Sequence, residues 1–416
     1  MKALKKVYLS IIIPCYNAEK TISRCLESIL GQKLNNIEII AINDCSTDKS
    51  FKILKKFKDK IKIINNKKNL GVGLSRNKGI KKSNGDYLIF LDSDDMLVKN
   101  TLTKIICDLK KNNKTDFLIG QHNINKDGFI YKKNINKKSL NEKIKFINNL
   151  KKFYGYCWRF IISRSFLTKN NLKFSSARIF EDEEFVAKLF IKTKIFHFSK
   201  THFYNHTLRQ NSLSGSTNFK DIKSITTSMN NLNIYAHDIH LMKERKIFLF
   251  SRINIIFSHF TALLHSIDEN NLKKISLIFH KVMTKKKIFF SKNYKEVINK
   301  NWLKNYILKS EKKIINIFQN YKLEKFIIFC IDRNGLALAN IFKKNNFYIE
   351  GFLDNSKTTL HKNLIYKRLK LNKIYKDRKI IIANQRNQHV SDIKNQLISL
   401  KVKKKNIYNV KFGFFS

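Results

Sequence analysis

Acidic side chains are scarce in this chain of 416 residues. There are 31 Asp+Glu against 83 Lys+Arg, a formal net charge of +52. That balance points to polyanionic partners: nucleic acid, an anionic membrane surface or phosphorylated substrates. Proline occurs once, and the basic residues run along the whole length. A uniform bias with no recognised binding module argues against nucleic acid. Cysteine is sparse as well. Cys15, Cys25, Cys45, Cys107, Cys157 and Cys330 form no CxxC pair. This excludes a zinc ribbon and a disulfide framework, and it suits reduced, mostly buried thiols in a cytoplasmic protein.

Long uninterrupted apolar runs are also missing. "MKALKKVYLSIIIPCYN" at the start has a short apolar run closed by Pro14 and the polar Tyr16-Asn17. It reads as a first β-strand and not as a signal peptide. The most apolar later stretch, residues 247–267, contains Arg252, His259 and His265. Holding Arg252 in hydrocarbon would cost roughly 2.5–3.5 kcal/mol, so a buried or interfacial helix is expected there.

What is present is a core and a rhythm. Hydrophobic residues make up 43% of the chain, enough for a packed interior. The length suits two or three domains. Over the first hundred residues, apolar strand-like runs ("VYLSIII", "IEIIAIN", "IKIINN", "YLIFL") alternate with helical spacings ("EKTISRCLESIL", "SFKILKKF", "LSRNKGIKKS"). That pattern predicts a parallel sheet covered on both faces. Residues 218–320 contain no glycine and read as helical; from about residue 322 the α/β rhythm returns in a small Rossmann-like segment. Three regions are expected: 1–217, 218–320 and 321–416.

In open α/β sheets, ligands bind outside the carboxyl ends of the strands. The polar residues there are Tyr16 and Asn17, then Asp44, then Asp92, Ser93, Asp94 and Asp95. Three carboxylates within four positions repel one another unless a cation neutralises them. Magnesium and manganese take oxygen ligands and pair one or two carboxylates with substrate phosphates. A plain turn, or a helix N-cap by Ser93 or Asp95, explains the same residues. Asp44 or Ser46 could likewise cap a helix, or Asp44 could accept a hydrogen bond from a nucleotide base. Arg76 is either solvated or a nucleotide contact. Glu181, Asp182, Glu183 and Glu184 crowd before an apolar helical stripe. They suit the helix dipole, or one of them acts as a general base. His202, His206 and Arg209 precede a serine-rich loop suited to closing on phosphates.

In this order, "LSIIIPCYNAEKTISRCLESILGQ", "IEIIAINDCSTDKS", "NLGVGLSRNKGI", "GDYLIFLDSDD", "YCWRFIISRSFLTKNNLKF", "FEDEEF" and "FYNHTLRQNSLS" resemble the family 2 glycosyltransferases of the GT-A fold. The resemblance covers roughly residues 7–216. It implies inverting, metal-dependent hexosyl transfer from a nucleotide-sugar donor, a UDP-sugar in most of the family, to a glycan or lipid-linked glycan acceptor such as a growing capsule or lipooligosaccharide. By that resemblance Asp44 reads the base with help from Arg76. Asp92 and Asp94 hold manganese or magnesium, with His206 a further metal candidate. Asp182 is the catalytic base beside Glu181, Trp158 shapes the acceptor pocket, and Tyr16, Asn17, Ser93 and Arg209 line the nucleotide side. Two departures stand out. Asn43-Asp44 replaces the family's Asp-Asp, and Thr207 replaces an arginine of its Tyr-x-Tyr-Arg-x-Arg segment.

In the C-terminal segment, Cys330, Asp332 and Gly335 occupy the three glycine positions of a dinucleotide fingerprint, and Asp354 lies near the ribose-binding position. Only one glycine survives, so NAD binding is not expected. The enzyme is expected in the cytoplasm, where its basic charge also suits peripheral contact with anionic lipid at the inner face of the cytoplasmic membrane. The competing expectation is a non-catalytic nucleotide-sugar- or membrane-binding module derived from such an enzyme.

Overall fold

A computed structural model describes residues 7–126, 129–133, 155–207, 221–236, 243–264, 270, 272–277, 302–321, 323–329, 333–353, 378–383 and 387–410. The chain divides into two compact units: Met1–Arg209 with Tyr235–Leu249, and Gln210–Ile234 with Phe250–Ser416.

The first unit is built on one mixed sheet. β1 (Leu9–Cys15), β2 (Ile37–Asn43), β3 (Lys62–Asn65) and β4 (Tyr87–Phe90) are mutually parallel, in the order β3-β2-β1-β4. Every residue of β1 and β4 is buried, as continuous apolar runs require when helices cover both faces. The covering helices are α1 (Ile22–Leu30), α2 (Ser50–Lys55) and α3 (Val72–Lys82). α1 buries Ile22, Cys25, Leu26 and Ile29, the i, i+3, i+4, i+7 stripe legible in the sequence.

Beyond β4 the sheet is mixed. β5 (Met96–Leu97) and α4 (Leu102–Lys111) lead to the long strand β6 (Phe117–Lys126) and β7 (Phe129–Lys133). β8 (Phe160–Ser163) then inserts between β4 and β6. Short helix α5 (Arg164–Lys169) and α6 (Glu181–Lys192) precede β9 (Phe196–Thr207), which pairs with β6 and with β5. β8 pairs antiparallel with β4 and β6, whereas β6 and β9 run parallel.

The single proline sits in a central strand without breaking the ladder. β1 pairs with β4 only as far as Ile12↔Phe90, and the backbone group beyond it on that side belongs to Pro14. The N–H that proline lacks would have faced a position with no strand neighbour.

In the region expected to be helical lie α7 (Asp221–Ala236), α8 (Lys243–Leu264) and α9 (Trp302–Phe318). Among the described residues no helix is long and apolar enough to cross a membrane. Arg252 of α8 is buried, as are its neighbours Ile253, Ile256 and Phe257.

The C-terminal sheet is small and wholly parallel. β10 (Lys325–Phe329), β11 (Tyr348–Leu353), β12 (Lys379–Ile382) and β13 (Ile407–Asn409) run in the order β11-β10-β12-β13. α10 (Arg333–Lys344) joins β10 to β11, and α11 (Asn387–Ser399) leads into β13. Ile314 and Phe318 of α9 pack into this core with Phe326 and Phe342. Cys330, Asp332 and Asp354 lie outside the described residues, while Gly335 is buried in the first turn of α10.

Candidate active site

The carboxyl ends of β1, β2 and β4 form one edge, and hydrogen bonds lock it together. Tyr16 is half-exposed there, and Asn17 takes a left-handed backbone (φ 48°). The Asn17 N–H donates to Ser46 Oγ at 3.1 Å, and its Oδ1 accepts from the Thr47 N–H at 2.9 Å. The loops after β1 and β2 are thereby held to one another. Cys45 also has positive φ, at 60°. Two non-glycine residues in this region beside each other's strand ends are the kind of strain that concentrates at ligand sites.

Asp44 is buried and caps no helix. Its Oδ1 accepts from Asn66 Nδ2 at 2.7 Å and from the Leu70 N–H at 2.9 Å, and its Oδ2 accepts from the Gly71 N–H at 2.8 Å. The carboxylate therefore clamps the turn that starts α3. Gly71 makes that turn with φ 90°, a conformation other residues rarely adopt. α2 is preceded by Lys49 with no side-chain cap, so Ser46 does not cap it either. Asn66 was not singled out by the sequence. It also donates to Ser75 Oγ at 3.1 Å and accepts from Lys78 Nζ at 2.7 Å.

α3 carries Arg76 into the interior, where it is not solvated at all. Its Nη2 meets Asp92 Oδ1 at 2.8 Å and its Nη1 meets Glu181 Oε1 at 2.9 Å. One guanidinium thus joins two acidic motifs 89 positions apart along the chain (181 − 92 = 89). The Arg76 head also lies over the Phe174 ring at 5.2 Å.

The Asp92–Asp95 segment is a turn running into β5, so neither Ser93 nor Asp95 caps a helix. Asp92, Ser93 and Asp94 are half-buried. The Asp94 carbonyl accepts from Arg24 Nη2 at 3.0 Å. Asp95 turns inward: it accepts from Tyr204 Oη at 2.7 Å, His206 Nδ1 at 3.1 Å and the Thr207 N–H at 2.7 Å. Burial alone would lower the His206 pKa, and the facing Asp95 carboxylate reverses this and raises it. Among the described residues no group of three or more His, Cys, Asp or Glu side chains is arranged to hold a metal ion.

Trp158 lies beneath the surface and does not present its own face. It stacks between Tyr204, at 4.4 Å, and Tyr156, at 5.1 Å, with the His206 ring at 5.3 Å. Tyr156, half-buried, is the outer ring of this pile. Its position is set by Glu183, whose Oε2 accepts from the Gly155 N–H at 2.9 Å. Tyr156, Tyr204 and Glu183 stand inside the quoted motifs, but nothing in those motifs assigned them this role.

α6 begins after Phe180, which holds φ 65°. A left-handed aromatic residue costs on the order of 1–3 kcal/mol, and here it aims the acidic first turn. Glu181, Glu183 and Glu184 are buried, and Asp182 is half-exposed. Glu184 ion-pairs with Lys188 one turn along. Burial and the adjacent Asp182 push Glu181 up to about 8, against the opposing pull of Arg76. Arg209 lies outside the described residues.

Residues 10–170 match the family model described as glycosyl transferase family 2. A cholesterol galactosyltransferase of Borreliella burgdorferi is 30% identical over 231 residues, covering 51% of this chain and 63% of that protein. The poly(ribitol-phosphate) beta-N-acetylglucosaminyltransferase TarP of Staphylococcus aureus is 28% identical over 357 residues, covering 82% of this chain and 99% of that protein. The solved structure of S. aureus TarS 1-349 in complex with UDP superposes with a TM-score of 0.55 at 19% identity, over 74% of this chain and 92% of that one. The fold is the GT-A fold, with a second small parallel sheet in the C-terminal region. Through residues 10–170, about two fifths of its length, the chain is similar to glycosyl transferase family 2.

Proposed function

We propose that the N-terminal unit transfers a sugar, with inversion, from a nucleotide-diphosphate donor to a hydroxyl of a cell-surface glycan. The observation that carries this reading is the Asp92–Arg76–Glu181 bridge, at 2.8 and 2.9 Å. It holds the strand-edge carboxylates beside the helix turn that bears Asp182, so donor and base share one site.

The donor lies along the carboxyl edge of β1, β2 and β4, with Tyr16, Asn17 and Asp44 on the nucleotide side. The UDP bound to TarS favours a UDP-sugar. Asp92 and Asp94 fit a divalent cation: they are half-buried oxygen donors at one strand edge, the set that magnesium or manganese completes with diphosphate oxygens and water. When bound, such an ion supplies Lewis-acid stabilisation of the leaving diphosphate. His206 turns its Nδ1 to Asp95 and supports the turn that carries Asp92 and Asp94.

The two adjacent carboxyls of α6 divide their tasks by environment. Buried Glu181, pushed up to about 8, keeps its proton through neutral pH and does not add a second charge. Asp182, half-exposed at the helix N-terminus, is left to take the proton of the attacking hydroxyl. A general base of this kind contributes roughly 10²–10⁴-fold. The hydroxyl attacks the face opposite the leaving diphosphate, which inverts the anomeric centre. The aromatic pile of Tyr156 and Trp158 bounds the acceptor side. A surface-glycan acceptor is favoured by the teichoic-acid polymer named for TarP.

The test is sugar transfer from a panel of nucleotide sugars by the intact chain and its Asp182→Asn variant. Asp182→Asn is expected to lose nearly all transfer while binding donor normally. Full transfer by that variant refutes the base, and donor binding without transfer by the intact chain would favour a binding module.

A further inference from the structure

The amino-terminal edge of the C-terminal sheet has a composition that the transfer reaction does not explain. In a parallel sheet every helix-to-strand connection arrives at the same edge. Here those connections follow α9, α10 and α11 and enter β10, β11 and β13. They bring Lys325, Lys343, Lys401, Lys403, Lys404 and Lys405 to one end of the domain, all exposed. The acidic side chains nearby are already matched: Glu311 meets Lys344 at 3.7 Å and Glu324 meets Lys379 at 3.6 Å.

The same edge gathers apolar side chains. Of the nine large hydrophobic residues exposed among the described residues, four are here: Ile317, Leu323, Tyr348 and Ile398. Ile317 ends α9 and Ile398 ends α11, while Leu323 and Tyr348 stand at the entries of β10 and β11. Leu323 is fully exposed, at 101%. Lys325 pairs in register with Tyr348, and its Nζ lies 5.7 Å from that ring.

We propose that this edge docks on an anionic lipid bilayer. Lysines alone would suit any polyanion. Isolated apolar side chains standing out among them match a surface with a charged headgroup layer over hydrocarbon. Leu323 and Ile317 enter the acyl boundary, Tyr348 sits at headgroup level, and the lysines reach phosphate with their stems along the interface. The inference concerns the C-terminal unit alone and does not depend on the transfer reaction.

The test is co-sedimentation of the full chain with phosphatidylcholine vesicles, with and without phosphatidylglycerol. Binding is expected only with the anionic lipid. Each lysine near such a surface is worth about fivefold in partitioning, so the combined Lys403→Gln, Lys404→Gln and Lys405→Gln variant should bind about a hundredfold more weakly. Leu323→Ser should weaken binding about tenfold. Circular dichroism confirms that both variants are folded, and transfer to a soluble acceptor without vesicles should be unchanged in both. Equal binding to neutral vesicles, or unchanged binding in either variant, overturns the proposal. So does competition by soluble polyphosphate together with indifference to Leu323→Ser, which would make the edge a polyanion site.

Discussion

Asp44→Asn is the substitution whose consequences the geometry defines most closely. The carboxylate accepts three hydrogen bonds, from Asn66 Nδ2, the Leu70 N–H and the Gly71 N–H, at 2.7, 2.9 and 2.8 Å. An amide of the same shape has one acceptor oxygen. Its better orientation keeps the two bonds to Oδ1 and turns an NH₂ toward the Gly71 N–H. Two bonds then lose their charge assistance, about 1 kcal/mol each, and one donor is left facing a donor, about 1–3 kcal/mol. Relief of the buried charge offsets part of this, leaving a net cost of about 2–4 kcal/mol. The cost falls on one turn, so it should appear as local opening. Hydrogen exchange at the Leu70 and Gly71 amides should accelerate by about thirtyfold to a thousandfold, with exchange in β1 and β4 unaltered. Thermal stabilisation by UDP should be lost in the same variant. Unchanged exchange at those two amides refutes the clamp. Faster exchange with full UDP stabilisation keeps the clamp and removes Asp44 from base recognition.

Three further outcomes are expected. Glu181 lies near 8 in the folded protein against an ordinary 4.5, so the folded state holds a proton that the unfolded chain releases. Its contribution to stability is full below about pH 4.5, declines as pH rises and is gone above about pH 8; urea titrations should show Glu181→Gln flattening that slope, and an identical slope refutes the assignment. Gly155→Ala would bring a Cβ within 2.6 Å of Glu183 Oε2 and 2.8 Å of Glu183 Cα. That overpacking should cost about 1–3 kcal/mol and lower transfer by displacing Tyr156, whereas unaltered melting and rate would show that the loop adjusts freely. Chelation of divalent ions should stop transfer and manganese restore it; turnover in excess chelator would remove Asp92 and Asp94 from metal binding.

Much of the fold was readable because its signals are local. Fully apolar strands alternating with amphipathic helices leave one arrangement for the first hundred residues, a parallel sheet covered on both faces. The strand-end positions of Tyr16, Asn17, Asp44 and Asp92 to Asp95 follow from the same pattern, since each run of buried residues must stop where polar residues begin. Residue type and order also sufficed to bring out the resemblance to the family whose model matches residues 10–170.

What the sequence left open is which side chains meet. Asp44, Arg76 and Asp95 each had an ordinary local reading, as cap, solvated charge or turn. Tertiary structure replaced the first two and added partners to the third, because the turn before α3, α3 itself and β9 bring distant groups together. Arg76 is buried between Asp92 and Glu181, and Asp95 is anchored by Tyr204, His206 and Thr207. Trp158 could be picked out by type, but only the stack of Tyr156 and Tyr204 around it shows which ring faces outward. The separation has one physical cause. Hydrophobic period and strand-end polarity are written over a few neighbouring residues, whereas an ion pair or a ring stack is fixed by where whole elements pack.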